Sequence, residues 1–568
     1  MFTLDPEQTP SCQIVIPDEP TAVEERAAEV LREYLRRIIG LELQVVGDAA
    51  PACDGEIILG ASRRLRKLAI DIDFAELQTD GFALRTVGGK LIIAGGSEKG
   101  TLYGVYEFLE RYLSCRRYSP EVEFVPQLQR IELSSIEDTQ IPQIDFRQDF
   151  YRLAEDPGYA EWHRLDNHKQ DWGMWVHTFA TLLSPQEYFG DHPEYFSLVN
   201  GERISDGQLC LTNETVFSIV IASLGREMAK KPRAHYWSVS TNDTFKNCEC
   251  DACRALDERE ESPMGSLLTF VNRVAAEFPE KTISTLAYQY SRKPPKKLRP
   301  AANVNIVLCN IECNRSRPIA TDPGSASFRA DVEGWAKICD NILIWDYVIQ
   351  FANLVSPFPN LRVLQPNIRY FVDNHSVAMF QQGNREVGGE FAELRAYLIA
   401  KLLWNPDADV DALMHDFLDG YYGAGGRFIH QYIDRLHDEL EKSGLGLGIF
   451  GHPTDPADSY LAPELIREYE ELFQGAEDAV RDSPDLLERV HQTRLPLYYA
   501  SLQQARKKGT EEGGLFSLQN GEYRPRPELV ERLEIFVDGC NRQGVTRVTE
   551  WRTTPDEYRE DYFKLSEP

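Results

Sequence analysis

Residues 304–312, VNIVLCNIE, decide how this chain folds: an apolar strand runs into polar Asn310 and Glu312 at its carboxyl end. The pattern recurs on both sides. Upstream lie IDFRQDFY (144–151), DWGMWVHTF (171–179), QLCLTN (208–213), HYWSVSTND (235–243) and TISTLAYQY (282–290); downstream lie NILIWDYV (341–348) and VAMFQQGN (377–384). Amphipathic segments such as ETVFSIVIASLGREMAKK (214–231) and FAELRAYLIAKLLW (391–404) separate most of them, although SRKPPKKLRPAAN (291–303) has no helical pattern. Eight strands at roughly 30-residue spacing, alternating with helices, predict a (β/α)8 TIM barrel over residues 140–404.

Two further domains flank it. Residues 1–135 alternate short glycine-closed strands (EIILGA, FALRTVG, KLIIAGG) with two amphipathic helices, predicting a small α/β domain. Residues 405–568 show helical periodicity without strand alternation, predicting an all-helical C-terminal domain whose polar tail after Trp551 is loosely held. The fold class is therefore α/β: a central barrel between a small α/β domain and a helical one.

The 61 basic and 90 acidic residues leave a net charge of −29, which repels phosphate backbones and anionic lipid and argues against nucleic-acid or membrane partners. No basic-then-apolar leader opens the chain and no apolar run reaches the length of a membrane span. A cytoplasmic location is expected for the chain as it stands, and a secreted or periplasmic one if a leader has been removed. Its oligomeric state is not encoded in any motif; a homodimer is compatible with it.

In barrel enzymes the active site lies at the carboxyl ends of the strands. Here those ends carry Arg147 and Asp149, Trp175 and His177, Asn213, Asn242 and Asp243, Tyr288 and Tyr290, Asn310 and Glu312, Trp345 and Asp346, and Gln381, Gln382 and Asn384. Sugars present apolar faces ringed by hydroxyls, so aromatic rings beside amides, carboxylates and arginine suit a carbohydrate partner. Glycosidic cleavage needs a proton donor and a second group for developing positive charge, and Glu312, Asp243 and Asp346 are the candidates. Glu312, following an apolar strand, is expected to be partly desolvated with a raised pKa. Other uses stay open: strand-end carboxylates also cap helices or pair with arginine, Tyr288 and Tyr290 share one strand face that suits packing as well as stacking, and His177 fits a barrel interior. Arg147 needs an anionic or hydroxyl partner.

Cys248, Cys250 and Cys253 form a C-x-C-x-x-C cluster that suits a structural zinc given a fourth ligand, with Cys309 and Cys313 as contributors to consider; free thiols or one disulfide are the alternatives. No cofactor is expected for catalysis itself.

The stretch 81–120, GFALRTVGGKLIIAGGSEKGTLYGVYEFLERYLSCRRYSP, resembles the domain that precedes the barrel in family 20 hexosaminidases and family 67 α-glucuronidases. HPEYFSLVNGER, SVSTND with CECDAC, TLAYQYSRKPP, LCNIEC, IWDYV, FPNLRVLQPNIRYF and GGEFAELRAYLIAKLLWNPD resemble the domain of unknown function numbered 4838, part of which is classed as glycoside hydrolase family 163. That resemblance implies an endo-β-N-acetylglucosaminidase, retaining and substrate-assisted: the substrate's acetamido oxygen attacks, a protein acid protonates the leaving group, and a neighbour orients the acetamide. The acidic pair of family 20 corresponds to Asn242-Asp243, leaving Glu312 as the preferred acid and Asp243 as the residue holding the acetamide. Where relatives read Glu-Gln-Gly-Asn, this chain reads Gln381-Gln382-Gly383-Asn384. Two rivals remain: a glycosidase of other specificity, such as an α-glucuronidase using Arg147, Arg292 and Arg315 on a carboxylated sugar, and a non-catalytic carbohydrate-binding protein.

Overall fold

The computed structural model describes residues 2–7, 12–53, 55–68, 70–97, 99–550 and 553–564. The chain forms two compact units, residues 1–145 with 156–164, and residues 146–155 with 165–568.

The first unit is built on a six-stranded sheet in the order Glu137–Gln140, Phe82–Val87, Lys90–Gly95, Ile57–Leu59, Gln13–Ile16 and Gln44–Gly47, antiparallel at the first two junctions and parallel at the rest. Helix Ala22–Ile39 starts at a capping box, in which Thr21 and Glu24 each bond the other's backbone N–H, and stops at Gly40, whose φ of 71° is left-handed. Its buried face, Ala27, Leu31, Leu35 and Ile38 with Tyr34, follows the helical repeat read from the sequence.

The second unit holds a seven-stranded, wholly parallel sheet. Its spatial order is Phe146–Asp149, Ser376–Gln382, Ile342–Tyr347, Val304–Cys309, Thr282–Ala287, Tyr236–Ser238 and Trp172–Met174. Each strand from Tyr236 onward pairs with its predecessor in sequence, and the last pairs with the first. The sheet is thus curled, with its ladder open between Phe146–Asp149 and Trp172–Met174. One cluster gathers inward-facing side chains from all seven strands: Phe146, Trp172, Tyr236, Leu286, Val307, Leu343 and Phe380 among them. The Phe146 and Trp172 rings, 4.8 Å apart, meet across the open ladder. Helices Glu214–Lys230, Met264–Glu277, Ala326–Ala336, Leu361–Asp373 and Ala392–Trp404 connect or follow the strands, and the 291–303 connection lacks one, as its sequence indicates.

The expected eighth strand is absent. Gln208–Asn213 contributes only an isolated antiparallel bridge, Leu209 to Phe196, and Asn213 caps helix Glu214–Lys230 by accepting from the Thr215 and Val216 N–H groups. Its apolar alternation reflects packing of Cys210 against other cysteines, not a sheet face. The sheet is therefore seven-stranded and open, not a closed eight-stranded TIM barrel.

Residues 405–568 belong to this same unit and are mostly helical, from Val410–Tyr422 to Pro555–Asp561. They are not all-helical. Phe516–Gln519 and Glu522–Pro525 form an antiparallel hairpin turned by Asn520-Gly521, both at positive φ, the dipeptide that favours a tight hairpin. Nor is the chain after Trp551 loose throughout: helix Pro555–Asp561 docks Tyr558 and Tyr562 into a buried cluster with Tyr499 and Phe536, while 551–552 and 565–568 lie outside the described residues. Among the described residues no helix is long and apolar enough to cross a membrane.

Packing on the face of the sheet opposite the interior cluster is tight at Gly173, where an added Cβ would sit 2.2 Å from the buried Trp237 ring. Overpacking of this kind costs about 1–3 kcal/mol. Gly173→Ala is therefore expected to lower the calorimetric Tm of this unit, whereas Gly190→Ala, whose new methyl meets nothing within 4 Å, leaves it unchanged.

Candidate functional site

Successive strand residues face opposite sides, and this divides the strand-end residues into two groups. Those in phase with the interior cluster line the mouth of the curl. Trp175 and Trp345 stack at 5.5 Å with ring planes 21° apart, and His168 stacks on Trp175 at 4.5 Å. Trp345 Nε1 donates to Gln382 Oε1 at 2.6 Å, fixing the indole. Burial pushes the His168 imidazole down to about 4, so it is neutral at pH 7; its Nδ1 and backbone N–H both donate to Gln148 Oε1. His177, at a left-handed φ of 52°, donates from Nδ1 to the Thr241 carbonyl at 2.7 Å. Its ring lies 6.1 Å from that of Tyr288. A carbonyl can only accept, so the neutral ring keeps its lone pair on Nε2.

Three carboxylates reach this mouth. Asp243 is exposed and near the Tyr288 hydroxyl; burial foremost, then the Asp243 charge, raise that phenol above its ordinary value. Glu312 is also close enough to raise it. However, Glu312 is not desolvated as its sequence context suggests: its side chain is 47% exposed and ion-paired with Arg292 at 2.8 Å. The strand ends at Cys309, and the chain turns Glu312 outward to Arg292, which also holds Asp331 at 2.6 Å. The third carboxylate is Glu550, which no strand carries. Its backbone N–H donates to the Phe351 carbonyl at 3.0 Å, setting it beside Gln382, Asn384 and Arg385. Burial raises its carboxyl above the usual range; Arg385 opposes this and the Asp243 charge adds to it.

The other strand-end residues face the helix layer. Arg147 is fully buried, paired with Asp166 at 3.6 Å and lying over the Trp404 ring. Asp149, Gln381 and Asp346 occupy one row across three neighbouring strands by register. Asp346 accepts from Asn310 Nδ2 at 2.6 Å and Asp149 from the Tyr151 N–H at 3.1 Å. Burial raises both carboxyls, Asp149 to about 8. Arg315, also buried, spends its guanidinium on the carbonyls of Tyr347, Ile311, Cys313 and Asn310. Asp346, Arg147 and Gln381 are thus packed in the strand–helix layer and are not brought together with Trp345 and Asp243.

Loop geometry decides the remainder. Asn242 is bracketed: its N–H and C=O bond Gln208, its Nδ2 donates to the Gly207 carbonyl, and its Oδ1 accepts from the Ala180 N–H. Tyr290 does not share a face with Tyr288, because the strand stops at Ala287 and a 3-10 turn with Gln289 at φ 50° follows. Its hydroxyl lies near Thr241, Asp257 and Cys253. Asn384 shapes a turn by donating to the Gly388 carbonyl and accepting from the Glu386 N–H.

Cys248, Cys250 and Cys253 converge with Cys210, all four sulfurs lying within 4.8 Å of one another. Cys309 and Cys313 are buried elsewhere, Cys309 inside the curl.

The chain belongs to the family described as Domain of unknown function (DUF4838), whose profile matches residues 117–434, more than half of its length. Residues 5–108 match the profile described as Glycosyl hydrolase family 67 N-terminus. No curated protein matches the chain. A solved structure described as a family GH115 4-O-methyl-α-glucuronidase with specificity for decorated arabinogalactans is similar at a TM-score of 0.55 and 13% identity, over 100% of this chain and 81% of that one. A GH138 enzyme described as targeting pectin rhamnogalacturonan II gives a TM-score of 0.42 at 11% identity, over 97% and 78% of the two chains. The fold comparison rests on the first of these.

A buried carboxyl whose folded-state value lies above its unfolded value keeps a proton that the unfolded chain releases, so its effect is to lower stability as pH rises between the two values. For Asp149 that window runs from about 4 to about 8. Asp149→Asn should flatten this slope, so that the Tm of the variant gains on the wild type steadily from pH 5 to pH 8 in calorimetric scans; a difference that does not change with pH would contradict the buried, protonated acid.

Proposed function

We propose that this protein is a glycoside hydrolase acting on β-linked N-acetylglucosamine in glycans, retaining and substrate-assisted, with endo-β-N-acetylglucosaminidase-like action. The observation that carries the reading is the mouth of the curl: a stacked indole pair, Trp175 and Trp345, ringed by Asp243, Glu312 and Glu550 with Tyr288 among them. The indoles offer an apolar platform to a sugar face, and the carboxylates supply the proton donor and counter-charge that glycosidic cleavage needs. Likeness in fold to a structure described as an α-glucuronidase, and an N-terminal region matching a glycosyl hydrolase profile, support the enzyme class.

Roles follow from environment. Glu550 has a partly buried carboxyl held above the usual range, as a proton donor requires. Asp243, near the Tyr288 hydroxyl, orients the acetamide, whose oxygen attacks the anomeric carbon and is released when water opens the resulting ring. Glu312, tied to Arg292, shapes the rim. A uronic-acid substrate would call on a guanidinium, yet Arg147, Arg292 and Arg315 are already engaged with the protein's own carboxylates and carbonyls. Arg385, beside Glu550, is a guanidinium that such a sugar could use.

The test is product release from a panel of N-glycans, N-acetylglucosaminides and glucuronosides by wild type, Asp243→Asn, Glu550→Gln and Glu312→Gln. The expected result is an N-acetylglucosamine-terminated product, with kcat lowered more than about a hundredfold in the first two variants and less than about tenfold in the third. Wild-type activity should fall as pH rises through the raised Glu550 value, and Glu550→Gln should lose that basic limb. Release from glucuronosides alone would overturn the substrate class. Sugar binding by calorimetry without turnover of any substrate would make the protein a carbohydrate-binding one.

A further inference from the structure

Beside the mouth, four cysteines from two separate stretches meet in one small cluster. Cys210 comes from the loop before helix Glu214–Lys230. Cys248 and Cys250 come from the loop after strand Tyr236–Ser238, and Cys253 lies in the first turn of helix Asp251–Glu260. Cys210, Cys248 and Cys253 are buried and none of the four is in a disulfide. All four sulfurs lie within 4.8 Å of one another, and Cys210 Sγ is 3.7 Å from Cys250 Sγ. Tetrahedral zinc with Zn–S bonds of about 2.3 Å has sulfurs about 3.8 Å apart, so the cluster has the dimensions of such a site.

We propose that Cys210, Cys248, Cys250 and Cys253 bind one structural zinc ion as a tetrathiolate, and that this ion locks the segment 195–210 onto the loop that carries Asn242 and Asp243. Four thiolates around Zn²⁺ leave two negative charges, and the surroundings answer them: the Leu198 N–H and Arg203 Nη1 both point at Cys248 Sγ, at 3.4 and 3.7 Å. The Thr212 hydroxyl lies 3.3 Å from Cys253 Sγ and 3.8 Å from the sulfurs of Cys210 and Cys250. Among the described residues no imidazole joins the group, and four sulfurs would complete a tetrahedron around the ion, leaving no open position for substrate, as in structural zinc sites.

The ion's placement explains its task. The middle of segment 195–210 has little apolar surface to bury: its strands Leu198–Val199 and Glu202–Arg203 are two residues each and partly exposed, while Tyr195, Phe196 and Leu209 are buried at its ends. What holds the middle is polar. The Cys210 N–H donates to the Tyr195 carbonyl at 2.8 Å and the Glu249 N–H to the Leu198 carbonyl at 2.8 Å, around the cluster. Two residues before Cys210, the Gln208 side chain grips the Asn242 peptide from both sides, each bond 2.8 Å long. The metal would therefore close a ring of contacts in which one side is the Asn242-Asp243 peptide. This holds whichever reaction the mouth performs, since the ring is a feature of the backbone and not of a substrate.

The experiment uses the untagged full-length chain, purified reduced and without chelator. Elemental analysis is expected to find about one zinc per chain, falling below about a tenth in Cys210→Ser and Cys253→Ser and unchanged in Cys309→Ser. Exchange with cobalt should give the thiolate-to-metal charge-transfer band and intense visible bands of a tetrahedral cobalt tetrathiolate. Hydrogen exchange after metal removal should rise in 195–210 and 242–253 while strand Thr282–Ala287 keeps its protection. Should the serine variants not fold, release of zinc from the wild type by stoichiometric mercurial, read with a metallochromic dye, replaces them. Wild-type protein with less than about a tenth of a zinc and no cobalt spectrum would overturn the site, as would iron bound in its place. Zinc present with exchange in 195–210 indifferent to its removal would overturn the locking role.

Discussion

The two-residue repeat of a parallel strand fixes which polar residues at the sheet's carboxyl end can meet a substrate. Phe146, Trp172, Leu343 and Phe380 fill the curl, and their positions commit every second residue to the interior and the others to the helix-covered face. Trp345 and Gln382 fall on one side of that division, Asp346 and Gln381 on the other. A shift of one residue in strand Ile342–Tyr347 would exchange its two faces, placing the buried Asp346 carboxyl in the mouth and the Trp345 indole in the helix layer.

The curl alone does not finish the mouth. Ile449 joins the interior cluster, the Phe351 N–H donates to the Ile449 carbonyl at 2.7 Å, and Glu550 bonds back to Phe351. Segments far apart in sequence therefore converge on the loop after strand Ile342–Tyr347. Glu550 becomes the carboxylate with the least water around it, beside exposed Asp243 and arginine-paired Glu312.

Much of this was legible in the sequence. The strand-and-helix rhythm located seven parallel strands, the missing helix in 291–303 and the aromatic character of the mouth, with Trp175, Trp345, Tyr288, Asp243 and Glu312 all at its rim. Some failures had readable causes. Trp345 and Asp346 are neighbours in one strand and could not both face inward, and Asn520-Gly521 is a hairpin signal inside a stretch read as helical. Tyr290 was lost to a turn that begins one residue after Ala287, where alternation ends. Others had none: nothing local to Glu550 announces the contact with Phe351, and Cys210, set among leucines, reads as a strand residue until the fold brings it to Cys250. Glu312 is exposed and ion-paired where its sequence context suggests desolvation, because its partner Arg292 comes from a different loop.

The most direct test of the account is a crystal structure of the full chain with an N-acetylglucosamine-thiazoline-type analogue, which mimics the cyclised acetamide intermediate. The account predicts the sugar ring against Trp345, its acetamide-derived ring toward Asp243 and its anomeric carbon facing Glu550. An analogue bound instead in the cavity between His452, Tyr499 and Arg506, or in contact with Asp346 in place of Asp243, would contradict it.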